Sequence, residues 1–108
     1  MKLASLYLEG ELLLRNYAEA KRWLEKAAYE GSPDAQGLLA EMFENGQGVD
    51  VDFVTAYAWY SVCYLRDRQE KPKLALERIE KEMTATQINS GQELARQLQS
   101  EISRRELL

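Results

Sequence analysis

Apolar residues recur along this chain with the spacing of amphipathic helices. Positions 35, 38, 39, 42 and 43 follow the i, i+3, i+4, i+7, i+8 pattern, which places them on one helical face. Similar apolar stripes and helix-end signals predict six helices, at about residues 2–9, 17–30, 33–45, 53–66, 72–83 and 85–104. The fold class expected from this pattern is all-α.

Residues that favour helix ends support these bounds. Four polar side chains are predicted to cap helix N-termini, namely those of Asn16, Ser32, Asp52 and Thr84. Gly46 is predicted to end the third helix in the left-handed conformation. Gly48 should also have a positive φ angle, whereas Leu12, at the equivalent position 36 residues earlier, cannot readily adopt one. The loops at these two positions are therefore expected to differ.

The apolar pattern also repeats over a longer distance. Trp23 and Trp59 are 36 residues apart, and the same offset relates further pairs of similar residues: Leu3 and Leu39, Tyr7 and Phe43, Gly10 and Gly46, Tyr17 and Phe53, Ala20 and Ala56. A fixed period of this length is typical of repeat proteins, in which each unit buries its apolar face by stacking on its neighbours. Both tryptophans are therefore predicted to be buried between adjacent helix pairs.

The second unit carries the most specific motif. It reads Ala35-x3-Leu39-Ala40-x2-Phe43-x2-Gly46-x-Gly48-Val49-x2-Asp52-x3-Ala56-x2-Trp59-Tyr60, which resembles the Sel-1-like repeat (SLR) family, a relative of the tetratricopeptide repeat (TPR). The tail from Ala75 to Ala95, which contains the motif from Met83 to Ile88, is similar to the closing helix pair of many bacterial members. The resemblance implies a right-handed α-solenoid, a superhelix of antiparallel helix pairs with about three repeats. We expect one domain over residues 1–108, with units at about 1–31 and 32–67 and a degenerate capping pair at 68–108.

Composition narrows the classes of partner. The chain has 108 residues and a net charge of −4, and no run of Lys or Arg exceeds two, which disfavours nucleic-acid binding. No stretch approaches the roughly 20 apolar residues of a membrane span, so membrane insertion is not expected. Cys63 is the only cysteine, so no internal disulfide can form. This favours the cytoplasm, and the periplasm stays open in case an export signal precedes the sequence.

The sequence offers little catalytic chemistry. Histidine is absent, which removes the Ser-His-Asp and Cys-His arrangements and the commonest nitrogen ligand of zinc. Cys63 lies on the predicted core stripe of a helix, where a small buried thiol is expected. Gly46 and Gly48 join two helices, without the strand and Lys-Ser/Thr ending of a phosphate loop. We therefore predict no enzyme activity, no catalytic residue, no cofactor and no metal site.

The first helices of successive TPR-like pairs line a concave groove, and the resemblance transfers that geometry to this chain. The candidate peptide-binding residues, which lie just off the core stripe, are Ser5, Glu9, Asp34, Leu38, Glu41, Asn45, Leu74 and Glu77. The inferred groove is acidic, which favours a protein or peptide partner with basic groups. Solenoid helices are also commonly acidic because this keeps the protein soluble. The sequence does not decide between an acidic binding groove and an acidic surface of this kind.

The function expected from these observations is that of a non-catalytic scaffold or adaptor. The resemblance implies that such a protein often takes part in bacterial signalling or cell-envelope processes. Two alternatives stay open at this point. One is a structural segment of a longer repeat protein without a partner of its own, and the other is a regulator that binds a small ligand. The chain is expected to be a monomer or a weak oligomer.

Overall fold

The computed structural model describes residues 10–107 of the chain, and its side chains from Asn16 onward. These residues form five helices and no strand. The helices are α1 (Gly10–Tyr29), α2 (Pro33–Asn45), α3 (Phe53–Arg66), α4 (Glu70–Glu80) and α5 (Ala85–Glu106). The helix expected at residues 2–9 lies outside the described residues, and the other five predicted helices are present.

Three of the predicted N-caps are confirmed. The Ser32 hydroxyl accepts the Ala35 backbone N–H at 3.2 Å, and the Asp52 carboxylate accepts that of Thr55 at 3.1 Å. Thr84 forms a capping box, because its hydroxyl accepts the Gln87 N–H while the Gln87 side chain accepts the Thr84 N–H. These bonds satisfy backbone donors that the first helical turn leaves free.

The prediction for the beginning of α1 was wrong. The helix begins at Gly10, so Asn16 lies inside it and caps nothing, and the loop expected before residue 17 does not exist. The physical reason is the segment after Gly10, which consists of strong helix formers and has Leu12 where the second unit has Gly48. Without a glycine to adopt a left-handed conformation, nothing interrupts the helix there.

The equivalent loop between α2 and α3 has the predicted conformation. Gly46 caps α2 with φ = 70°, and Gly48 has φ = 77°. A Cβ atom added at Gly48 would also overlap the side chain of Tyr17 on α1. Glycine is thus required at position 48 for two reasons, its backbone angle and the close approach of α1.

Helix α3 lies at the centre of the fold. It packs against α2, α4 and α5, while α1 packs on α2 and the end of α5 also reaches α1. Buried side chains therefore surround most of α3, and the core consists of Ala28, Ala35, Leu39, Ala40, Ala56, Tyr57, Ala58, Trp59, Tyr60, Val62, Ala75, Ile79, Ala95, Leu98 and Ile102. This arrangement of stacked helix pairs is a helical solenoid.

The two tryptophans have different environments, and the prediction for one of them was wrong. Trp59 is 3% exposed, as expected, but Trp23 is 69% exposed. Trp59 is covered in part by Tyr29, whose ring centroid lies 5.3 Å away at an interplanar angle of 85°. Burial at this repeat position therefore depends on a covering residue such as Tyr29 from a neighbouring helix, and the repeat register alone does not determine it.

Candidate functional site

A cleft opens between the start of α2, the middle of α3 and the start of α4. Its volume is about 100 Å³, and its lining residues are Pro33, Asp34, Gly37, Leu38, Glu41, Tyr60, Cys63, Asp67, Gln69, Lys71 and Pro72. Helix α2 supplies one wall because its positions 34, 38 and 41 are about one turn apart and share a face. These three positions belong to the predicted peptide-binding groove.

Three of the eight candidate residues line this cleft, namely Asp34, Leu38 and Glu41. Asn45, Leu74 and Glu77 are exposed but lie outside its lining. Ser5 and Glu9 fall outside the described residues. The cleft therefore joins three of the candidates from α2, and the wider groove over three units stays a prediction.

Leu38 is the main apolar contact that the cleft offers. Its side chain is 48% exposed, although it belongs to the apolar spacing of α2, because the core side of this helix is occupied by Ala35, Leu39 and Met42. The preceding residue, Gly37, faces α3, where an added Cβ atom would lie at an ordinary van der Waals distance of 3.6 Å from the Cys63 sulfur. An exposed leucine beside acidic residues is a suitable contact for a mixed peptide.

The cleft carries a net negative charge. Its lining holds the carboxylates of Asp34, Glu41 and Asp67 and one cation, Lys71, which gives −3 + 1 = −2. The Lys71 amine lies 3.6 Å from the Glu41 carboxylate and partly neutralises it. Most of this Lys71 side chain is exposed, so the pair is screened by solvent and contributes little to stability.

A hydrogen-bonded triad that the sequence analysis missed holds the helices around the cleft. Glu44 on α2 accepts a hydrogen bond from the Tyr60 hydroxyl at 2.7 Å and two from the Arg78 guanidinium at 2.7 and 3.0 Å. Arg78 therefore lowers the pKa of Glu44, while burial raises the pKa of Tyr60. Since Tyr60 lines the cleft, the triad fixes one of its side chains and ties α2 to α4. Because Glu44 and Arg78 are 34 residues apart, no local sequence pattern indicated this contact.

Cys63 is a structural thiol, as the sequence predicted. It is 7% exposed, and its sulfur donates a weak hydrogen bond to the Pro33 carbonyl at 3.3 Å. Burial raises the pKa of this thiol, with smaller contributions in the same direction from Asp67 and Asp34. A thiol that is kept protonated and covered is a poor nucleophile.

Within residues 10–107, no group of three or more His, Cys, Asp or Glu side chains is placed to hold a metal ion. In the same part of the chain, no helix combines the length and the apolar character that crossing a bilayer requires.

Comparison with known proteins identifies the repeat. The family model described as Sel1 repeat matches residues 1–32 and 33–61. Among solved structures, the chain is similar to a protective antigen present in uropathogenic Escherichia coli strains, which displays an SLR fold, with a TM-score of 0.75 and 28% sequence identity. The match covers 92% of this chain but 24% of that one, so the chain spans about a quarter of its length. No curated protein matches the chain. Because the repeat model covers more than half of the sequence, the chain belongs to the Sel1 repeat family.

Proposed function

We propose that this chain is a non-catalytic protein-interaction module that binds a peptide segment of a partner protein in the cleft between α2 and α4. It would do so as a single domain of three stacked units, at about residues 1–31, 32–67 and 68–108. Sel1 repeats are in general protein-interaction modules, and this supports the class of function. The observation that carries the proposal is the exposed Leu38 between two acidic side chains, Asp34 and Glu41, in one concave lining.

The chemistry of the cleft indicates what kind of peptide it would hold. Leu38 offers an apolar contact, and the net charge of −2 favours a segment with Lys or Arg beside an apolar side chain. The Glu44–Tyr60–Arg78 triad supports binding, because a cleft whose side chains are already fixed loses less conformational entropy when a ligand is bound.

A role as a small-ligand regulator fits this cleft less well. Its volume of about 100 Å³ is well below the roughly 300–1,000 Å³ of typical ligand pockets. The hydroxyl of Tyr60, a buried residue of the lining, already donates a hydrogen bond to Glu44. A shallow cleft with a half-exposed leucine suits one or two side chains of a longer peptide.

The proposal can be tested by selecting peptides from a random library on the immobilised protein and measuring their affinity by fluorescence polarisation. We expect the selected peptides to contain basic residues next to an apolar one. Leu38→Asp combined with Glu41→Lys should weaken their binding at least tenfold, since it removes the apolar contact and reverses a charge. Raised salt should weaken the wild-type complex, because exposed charges are screened over about 8–10 Å.

Val51→Asp is a matched control, because Val51 is 55% exposed and lies outside the cleft lining. It should leave both peptide affinity and melting temperature unchanged. Selected peptides that bind the cleft double variant as tightly as wild type would show that the cleft is not the binding site. A library that yields no binder would favour a purely structural role.

A further inference from the structure

A second and larger groove lies on the other side of the central helix, between α3 and α5. Its volume is about 440 Å³, and its lining includes Leu65 from α3 and Ala95 and Arg96 from α5. Leu65 is 53% exposed, although it lies in the last turn of the most buried helix in the fold. The groove shares no lining residue with the cleft described above.

The 36-residue repeat explains why this groove exists. Tyr29 and Trp59, which pack edge to face, correspond to Leu65 and Ala95 one repeat later, since 29 + 36 = 65 and 59 + 36 = 95. The repeat position that holds the buried indole of Trp59 in one unit thus holds only the methyl group of Ala95 in the next. The smaller side chain leaves Leu65 half uncovered and leaves space beside Ala95.

The opposite mismatch occurs on α1. Trp23 holds the same repeat position as Trp59 and Ala95, and its indole is 69% exposed. The molecule therefore presents an uncovered tryptophan in one unit and a groove without its tryptophan in another. A large exposed aromatic side chain of this kind is a typical anchor of a protein interface.

We propose that the chain associates with a second copy of itself through these two surfaces, with Trp23 of one copy inserted between Leu65 and Ala95 of the other. Charge complementarity supports this occupant. Glu19 is exposed one turn before Trp23, while Arg96 lies at the edge of the groove beside Ala95. The docked indole would bring the Glu19 carboxylate to the Arg96 guanidinium, which in the single copy pairs with Glu93.

The two surfaces differ from each other, so the contact is heterologous and each copy keeps one free surface after it has bound. Association should then continue from copy to copy with rising concentration. This mode of association is independent of peptide binding in the cleft, and either can fail without the other.

Sedimentation equilibrium over a concentration series tests the proposal. The wild-type mass should rise with concentration, and its tryptophan emission should shift to shorter wavelength as Trp23 is covered. Trp23→Ser and Leu65→Arg should each weaken association by about 30-fold or more, the loss expected for an interface anchor. Both residues are exposed, so both variants should melt like wild type.

Mixing the two variants provides the decisive measurement. The Trp23→Ser protein retains the groove and the Leu65→Arg protein retains the indole, so an equimolar mixture should form a 1:1 dimer that grows no further. Leu74→Arg is the control, because Leu74 is 51% exposed but lies outside both proposed surfaces, and it should associate like wild type.

Three results would overturn the proposal. These are a wild-type chain that stays monomeric at about 1 mM, a mixture of variants that stays monomeric, and a Leu74→Arg protein that loses association as strongly as the others. Binding of N-acetyl-tryptophanamide to the groove of a monomeric wild-type chain would assign the groove to an aromatic side chain of a different partner.

Discussion

The Tyr29 ring and the Trp59 indole pack edge to face at a centroid distance of 5.3 Å, and this contact joins the helix of one repeat to the helix of the next. The Arg105 guanidinium lies 4.9 Å from the centroid of the same Tyr29 ring and brings in the last helix. Helices α1, α3 and α5 thus converge on one aromatic side chain. Such contacts between neighbouring units supply much of the stability of a repeat protein.

Replacing Trp59 should therefore be far more damaging than replacing Trp23. Trp59→Ala is expected to lower the free energy of unfolding by about 3–5 kcal/mol, the range for a large aromatic residue removed from a core. Trp23→Ala should change it by less than about 0.5 kcal/mol, as expected for an exposed position. Urea denaturation at low protein concentration, followed by circular dichroism, measures both values.

A domain of this size holds only about 5–15 kcal/mol in total, so the Trp59 variant can be largely unfolded. Trp59→Phe then serves as a milder substitution that should lie between wild type and Trp59→Ala. Equal losses at positions 23 and 59 would contradict the different burial of the two indoles.

Gly48→Val should cost more than about 1 kcal/mol, because a β-branched residue would have to adopt φ = 77° and would meet Tyr17. Thermal melting provides the measurement. Asp50→Val, at an exposed position of the same loop, controls for the change in polarity and should melt close to wild type. A Gly48→Val protein with an unchanged melting temperature would show that the loop conformation can vary.

Gly91→Ala should destabilise the protein even though alanine is the better helix former by about 1 kcal/mol. A Cβ atom at position 91 would lie 2.7 Å from Cδ1 of Tyr57, so α5 and α3 would have to separate. Gly37→Ala is the matched control within a helix, because its Cβ atom would lie at an ordinary 3.6 Å from the Cys63 sulfur. Chemical denaturation should show a loss for the first variant and a neutral or positive change for the second.

Stability should depend on pH through Glu44. The Arg78 hydrogen bonds hold the pKa of this carboxyl below its ordinary value, so the folded chain binds fewer protons here than the unfolded chain. The contribution of Glu44 to the free energy of unfolding is therefore complete above about pH 4.3, the pKa of glutamate in the unfolded chain. It is lost as the pH falls through the lower pKa of the folded state.

Denaturation curves of wild type and Glu44→Gln between about pH 7 and pH 3 measure this contribution. The variant should be less stable at neutral pH, and its difference from wild type should shrink on acidification. Glu82→Gln, the same substitution at an exposed position, is the control and should be close to wild type in stability at neutral pH. A difference between Glu44→Gln and wild type that is independent of pH would contradict the ionic role of this carboxylate.

Local signals in the sequence were sufficient for the helices and for most of their ends. Ser32, Asp52 and Thr84 cap helices because a side-chain oxygen reaches a backbone N–H three residues later, which depends only on neighbouring residues. The repeat register likewise identified the family and correctly placed Trp59 and Gly48. The repeat register wrongly predicted a loop before residue 17, whereas α1 continues through Asn16. The strong helix formers after Gly10 were the better signal at this point.

Tertiary structure alone decided which repeat positions are covered and which are free. Trp23 and Trp59 are the same residue in the same register, yet one is exposed and the other is buried, because burial depends on whether a neighbouring helix supplies a residue such as Tyr29. The cleft depends in the same way on contacts between distant segments, among them Glu44 with Arg78 and Glu41 with Lys71. A sequence determines local helix geometry directly, whereas these pairings arise only when separate helices are packed together.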